Sequence, residues 1–229
     1  MVARPFHATD LTKSPWARAT WLVLAPHADD ETLGCGALIG DGANRIAAIV
    51  FLTDSAGSHP CETDGDRRAL SALRRREARA AIRVLRPSAP PPVFLDWPDA
   101  NPHRAGSPAF TASSRRLAGL CDRLGVDAIA VTGRNEPHCD HVAAFDVAQD
   151  AARRALRPTR VFEYVVWAPR PPGRDFIAVR TAPVAIGARK AALAQHRSQL
   201  SPVAGNGFRV PATMRQMPAR DILYTQRRP

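Results

Sequence analysis

Aromatic residues make up only 6% of this 229-residue chain, and two of them are tyrosines. Lysine is nearly absent: Lys13 and Lys190 stand among 32 basic residues, so the other thirty are arginines. No apolar run approaches the roughly 18 residues of a membrane-crossing helix, which excludes a helical span. The stretch through Lys13 lacks the apolar core of a secretory leader. The four cysteines (Cys35, Cys61, Cys121, Cys139) show neither pairing nor C-x-x-C spacing. They read as free thiols, and a cytoplasmic location is the expectation. The net charge of +11 invites a nucleic-acid reading that the rest of the chain resists. Such a face calls for a basic stripe with aromatics or a reading motif. Here the arginines are dispersed, with clusters only at Arg67–Arg68 and between Arg74 and Arg86. Abundant arginine, alanine and proline match the codon bias of a GC-rich genome. No nucleic-acid partner is expected, and the charge serves at most to attract an anionic substrate.

Apolar content is 45%, enough at this length for one sizeable core. A single domain over 1–229 is expected, with its core at about 20–200 and an irregular Pro/Gly-rich tail beyond Ser201. Strand-like and helix-like segments alternate. Strands are expected at Trp21–Ala25, Arg45–Thr53, Val93–Trp97, Asp127–Gly133, Arg160–Trp167 and Asp175–Thr181. Helices are expected at Glu31–Gly40, Asp66–Leu85, Ser113–Leu124, His141–Leu156 and Pro183–His196. This alternation predicts a Rossmann-like α/β fold: a mostly parallel sheet with helices on both faces, in three layers. In the commonest doubly wound order the first and fourth of these strands are neighbours where the strand order reverses, and ligands bind outside their carboxyl ends.

Two polar clusters land at that point. The first, His27-Ala28-Asp29-Asp30-Glu31, leaves the first strand; the second, Glu136-Pro137-His138-Cys139-Asp140-His141, follows the fourth. Imidazoles and carboxylates at the end of buried strands are costly unless compensated, and a metal ion is the usual compensation. A catalytic zinc site has three protein ligands and an open position; His27, Asp30 and His141 make such a set, one Zn²⁺ per chain. Asp29 is left to move protons as general base. His138 is left to stabilise an oxyanion or protonate a leaving amine, with Asp140 holding its imidazole and favouring the charged form. That constellation suits hydrolysis of an amide or ester. Simple helix capping by Asp-Asp-Glu is the bland alternative, and Glu31 is assigned to it; capping explains neither histidine. His7, His59, His103 and His196, taken singly, read as satisfied polar residues. Glu77 falls inside the apolar stripe of the long helix with Arg74 one turn earlier. The pair is either a structural strut or a means of presenting the Arg74 guanidinium to a substrate.

These motifs resemble the LmbE-like or PIG-L family of zinc-dependent N-deacetylases. The family's opening His-Pro-Asp-Asp-Glu stands here as His27-Ala28-Asp29-Asp30-Glu31, and its His-x-Asp-His as His138-Cys139-Asp140-His141. Weaker features are Thr53-Asp54-Ser55-Ala56-Gly57, Arg74-x-x-Glu77 and the Lys190–Gln199 segment, so the likeness runs from Leu22 to Gln199. It implies a Rossmann-like fold, zinc on His27, Asp30 and His141, Asp29 as base, His138 as electrostatic catalyst or acid, and Arg74 against the sugar or its attached group. The implied substrate is a small-molecule N-acylated amino sugar. An amidase acting on a thiol conjugate is the nearest alternative, and a basic binding module with a closed structural metal site is the alternative of another class. Ala28 replaces the motif proline, from which a slightly looser turn is expected.

Overall fold

The computed structural model describes residues 8–168 and 175–227; His7 lies outside them. Eight strands form one sheet: β1 (Thr9–Asp10), β2 (Thr20–Ala25), β3 (Arg45–Thr53), β4 (Val93–Trp97), β5 (Ala128–Thr132), β6 (Arg160–Tyr164), β7 (Phe176–Arg180) and β8 (Ile222–Gln226). Their spatial order is β1-β7-β8-β6-β5-β2-β3-β4. Strands β4, β3, β2, β5 and β6 run parallel, with Trp21 opposite Ala128 and Leu24 opposite Val131. β2 and β5 are buried throughout, as strands covered on both faces must be.

Alternate residues of these strands feed two cores. One face carries Val23, Ile49 and Phe51 against α1 (Asp30–Gly40) and α2 (Asp64–Leu85). The other carries Leu22, Leu24, Val50, Ile129 and Val131 against α3 (Pro108–Leu124) and α4 (Cys139–Arg154). The three-layer α/β/α expectation holds. A short α5 (Ala188–Leu193) packs on α1 and α2. α1 sits close to the sheet because Gly34 has no side chain; a Cβ there would collide with the Tyr164 ring.

The tail differs from the expectation. β8 lies beyond the supposed core and wedges between β6 and β7, antiparallel to both. Its sequence, Ile-Leu-Tyr-Thr-Gln, is an ordinary strand, but Pro211, Pro218 and the intervening polar residues mask it. The helix expected over Pro183–His196 shrinks to Ala188–Leu193, since residues 182–187 are irregular and turn at Gly187, φ +80°. α2 starts earlier than expected because Thr63 and Asp66 close a reciprocal capping box.

Candidate active site and metal centre

β2 and β5 are adjacent, so the turns at their carboxyl ends open into one cavity of about 190 Å³. His27, Asp29, Asp30, Arg74, Asp99 and His138 line it, together with Gln199, Trp167 and Phe208. The amino ends of α1 and α4 both face it, Asp29 capping one and His138 the other. Backbone strain concentrates here: Asp29 (φ 154°), Ser55 (φ 56°) and Ala100 (φ 63°) are non-glycine residues at positive φ around the cavity.

His27 is the hub. Its Nδ1 lies 3.1 Å from Asp30 Oδ2, and its Nε2 lies 3.0 Å from Asp140 Oδ2 and 3.2 Å from Asp99 Oδ1. His141 Nε2 approaches the same Asp30 Oδ2 to 3.2 Å. The geometry admits several overlapping donor sets. One nitrogen each of His27, His138 and His141 lie within 4.8 Å of one another, as do donor atoms of His27, Asp99, His138 and Asp140. The expected trio is not one of these sets, but two of its spacings, His27 Nδ1 and His141 Nε2 at 3.1 and 3.2 Å from the same Asp30 Oδ2, approach the roughly 3.3–3.4 Å between ligand atoms that metal bonds of about 2.0–2.1 Å produce. His141 favours the combinations that include it over the His27–Asp99–His138–Asp140 set. It is completely buried, yet neither ring nitrogen has a hydrogen-bond partner, although carboxylate oxygens stand 3.2 and 3.3 Å away. A buried imidazole set between two carboxylates at ion-pair distance, without hydrogen-bond geometry to either, is an arrangement a shared cation would satisfy.

The charges agree. Burial alone would lower the pKa of His141, but Asp30 and then Glu136 outweigh it and push it up to about 9. His27 is likewise driven well above its usual value, by Asp140, Asp30 and Asp99 against burial. Burial would raise Asp30 and Asp99, but the imidazoles beside them hold both carboxyls far below the usual range. Without a metal the surrounding carboxylates draw protons onto the His27 and His141 imidazoles. Asp29 behaves oppositely: burial raises its carboxyl to about 6, with Arg74 opposing from 3.4 Å.

The model of the GlcNAc-PI de-N-acetylase family, PIG-L, matches residues 22–152. The chain belongs to the PIG-L family. No curated protein matches it in sequence. Among solved structures, N,N'-diacetylchitobiose deacetylase from Pyrococcus horikoshii is 18% identical with a TM-score of 0.64, over 82% of this chain and 74% of that one. The A40926 pseudoaglycone deacetylase Dbv21 is 17% identical, TM-score 0.65, over 91% and 97%. The 4-carboxy-2-hydroxymuconate hydratase GalB from Pseudomonas putida KT2440 is 16% identical, TM-score 0.54, over 92% and 98%. Likeness at this identity is likeness of fold, and the three do not share one reaction, two being deacetylases and the third a hydratase.

Of the site residues expected in this PIG-L chain, His27, Asp29, Asp30, Arg74 and His138 line the cavity, and Asp140 and His141 are buried behind it against His27 and Asp30, but two pairings differ. Asp140 does not hold the His138 imidazole. Their side chains are 3.8 Å apart, and Asp140 instead accepts from Ala100 N–H (2.8 Å) and contacts His27. It is the Asp140 backbone N–H that donates to His138 Nδ1, 3.2 Å. Burial, with His27 and His141 nearby, lowers the His138 pKa, and Asp140 opposes this only in part. Arg74 and Glu77 both point inward without pairing as a strut. Arg74 donates to Ser55 O (2.9 Å) and Ala28 O (2.6 Å), while Glu77 accepts from Ser198 N–H and Oγ–H. Glu31 accepts from Asp29 N–H (2.9 Å) and Thr32 Oγ–H (2.7 Å) and contacts His196 Nε2 at 3.0 Å, bracing the strained turn. Ala28 uses the N–H a proline would lack, donating to Ser55 Oγ at 3.0 Å, so the turn is tied rather than loosened.

Asp99 escaped the sequence reading, and Glu136 was given no role in it. Asp99 follows β4 and is carried to His27 by the parallel β3–β4 pairing. Glu136 accepts from Val166 and Trp167 N–H (2.7 and 2.8 Å) and stands 3.3 Å from His141 Nδ1. Glu136 was legible only as part of the second cluster, and Asp99 had no signal at all.

Proposed function

We propose that the chain is a zinc-dependent hydrolase that removes an N-acetyl or other N-acyl group from an amino-sugar conjugate. The observation that carries this reading is His141, fully buried without a hydrogen bond beside Asp30, next to a cavity lined by Asp30, His27, the Asp29 carboxylate and the His138 imidazole. His27, Asp30 and His141 would hold the ion, two nitrogens and an oxygen suiting zinc. A bound ion supplies Lewis acidity, polarising a carbonyl and acidifying water.

The protein groups supply the rest. Asp29, its pKa raised to about 6 by burial, is suited to take a proton from water near neutral pH. Water oxygen bonds to the acyl carbon, the carbon–nitrogen bond breaks, and the nitrogen leaves as an amine carrying that proton. His138 has its Nδ1 occupied as acceptor of the Asp140 N–H, which places the proton of its neutral form on Nε2. With its pKa lowered, it serves as hydrogen-bond donor to the developing oxyanion. Asp140 and Asp99 position His27, and Arg74 presents its guanidinium to the sugar or acyl group.

The PIG-L match and the two deacetylases of like fold support the reaction class. All four cysteines are free, in keeping with a reducing cytoplasmic setting, and among the described residues no helix is long and apolar enough to cross a membrane. The test is release of free amine and acetate from N-acetylglucosamine conjugates by zinc-loaded protein, with chelated protein and non-sugar amides as controls. Amine release from the sugars that stops on chelation is expected. Activity confined to non-sugar amides, or none on any amide, refutes the proposal.

A further inference from the structure

Gln199 is completely buried, lines the catalytic cavity, and leaves Oε1 without a hydrogen-bond partner. Which amide atom is the oxygen follows from its neighbours. Ser198 Oγ–H donates to Glu77 Oε2 at 2.6 Å, so that hydroxyl has spent its proton and can only accept from Gln199. The atom of Gln199 3.0 Å from Ser198 Oγ is therefore the NH₂. Its second donor direction goes to Ser58 Oγ at 3.4 Å. Arginine never accepts, so His59 Nε2 accepts from Arg209, and His59 Nδ1–H is left to donate to Ser58 Oγ, 2.9 Å away. The chain from Glu77 to Arg209 thus fixes the amide and leaves an acceptor over for the cavity. Arg74 contributes the complement, a buried Nε–H also without a partner. A pocket with one spare acceptor and one spare donor matches hydroxyls, which donate and accept. An amide N–H satisfies only the first.

We propose that Gln199 is a specificity-determining residue, accepting a hydrogen bond from a ring hydroxyl of the substrate and thereby selecting sugars that carry it. This rests on the amino-sugar reading above. A buried acceptor left unpaired costs binding, so a substrate lacking the hydroxyl is rejected.

The test is a cycle of kcat/KM for wild type and Gln199→Met, which keeps volume but removes the acceptor, on N-acetylglucosamine conjugates and their monodeoxy analogues. For wild type, one analogue should fall by roughly 10- to 100-fold. Gln199→Met should lose a similar factor on the parent sugar, and almost nothing further on that analogue. Its zinc content should equal wild type, since Gln199 holds no metal. The wild-type series alone tests the idea should the variant fold poorly. Equal rates on all monodeoxy sugars, or losses that multiply, would mean Oε1 meets only water and would overturn the assignment. Wild type inactive on every N-acetylated sugar but active on other amides would instead sink the amino-sugar reading, and Gln199's role with it.

Discussion

Metal loading should raise the melting temperature, and the size of the rise can be worked out. An ion that binds only the folded chain, present at a hundred times its dissociation constant, stabilises by about 2.7 kcal/mol. For a chain of this length each kcal/mol moves the transition by about 2–4 °C, so the expected gain is roughly 5–11 °C. The rise should depend on pH with a definite sign. Imidazoles ligate only when deprotonated, and in the metal-free pocket His141 titrates at about 9 with His27 also raised. A raised imidazole pKa stabilises the metal-free fold below the unfolded value of about 6.5, and that stability is lost as pH climbs through about 9. Metal must displace those protons below that pH, at a loss of about tenfold in affinity per unit for each proton. One unit lower at the same free zinc, with one proton displaced, the gain falls to about 1.4 kcal/mol, or roughly 3–6 °C. The assay is scanning calorimetry of chelated and zinc-titrated protein at two pH values, with His27→Ala, Asp30→Ala and His141→Ala alongside. Each variant should lose the gain. A wild-type transition indifferent to zinc, or three variants that keep the full shift, would refute the assignment of these ligands.

Asp29→Asn should keep bound zinc yet lose turnover by about 10² to 10⁴, because Asn matches the shape of Asp but cannot take a proton; near wild-type turnover would reduce Asp29 to a structural cap. Glu136→Gln should weaken zinc by about 10- to 100-fold in chelator competition, since a carboxylate beside a ligating imidazole orients it; unchanged affinity would confine Glu136 to anchoring Val166 and Trp167. Ala28→Pro, although it restores the family's own residue, should destabilise the chain, because buried Ser55 Oγ loses its donor. At about 1–3 kcal/mol the melting temperature should drop by roughly 2–12 °C, and an unchanged or higher value counts against that bond.

The sheet was readable wherever strands are fully buried, because β2, β3 and β5 are unbroken apolar runs ended by polar turns. Reading failed where elements depend on distant partners. β8 forms because the gap between β6 and β7 offers unpaired backbone on both sides, a demand no local pattern records. The first turn of α2 was missed for a smaller reason: Thr63 and Asp66 satisfy each other, so a segment that reads as loop is the start of the helix.

The site shows the same division between residues and partners. Topology brought His27, Asp30 and His141 together because β2 and β5 are neighbours, and that was inferable before any coordinate. Which atoms bond was not. Asp140 and His138 are two residues apart, which suggested a side-chain pair, yet the helix capped by His138 turns the Asp140 carboxylate toward His27 and Ala100 instead. Arg74 and Glu77 share a helix face, yet each finds a stronger partner across the fold than along it. In both cases a local pair competes with buried groups that have no other partner. Burial decides the competition, because an unpaired buried polar group costs more than a short-range pair gains. Seven buried side-chain atoms are left without a hydrogen bond among the described residues. Four of them, both nitrogens of His141, Arg74 Nε and Gln199 Oε1, lie in or beside one cavity with the strained Asp29 turn, the others being Ser114 Oγ, His196 Nδ1 and Asp221 Oδ1. An excess of unmet bonds at one place is what a site built around a cation and a polyhydroxylated ligand must show when described from its protein atoms.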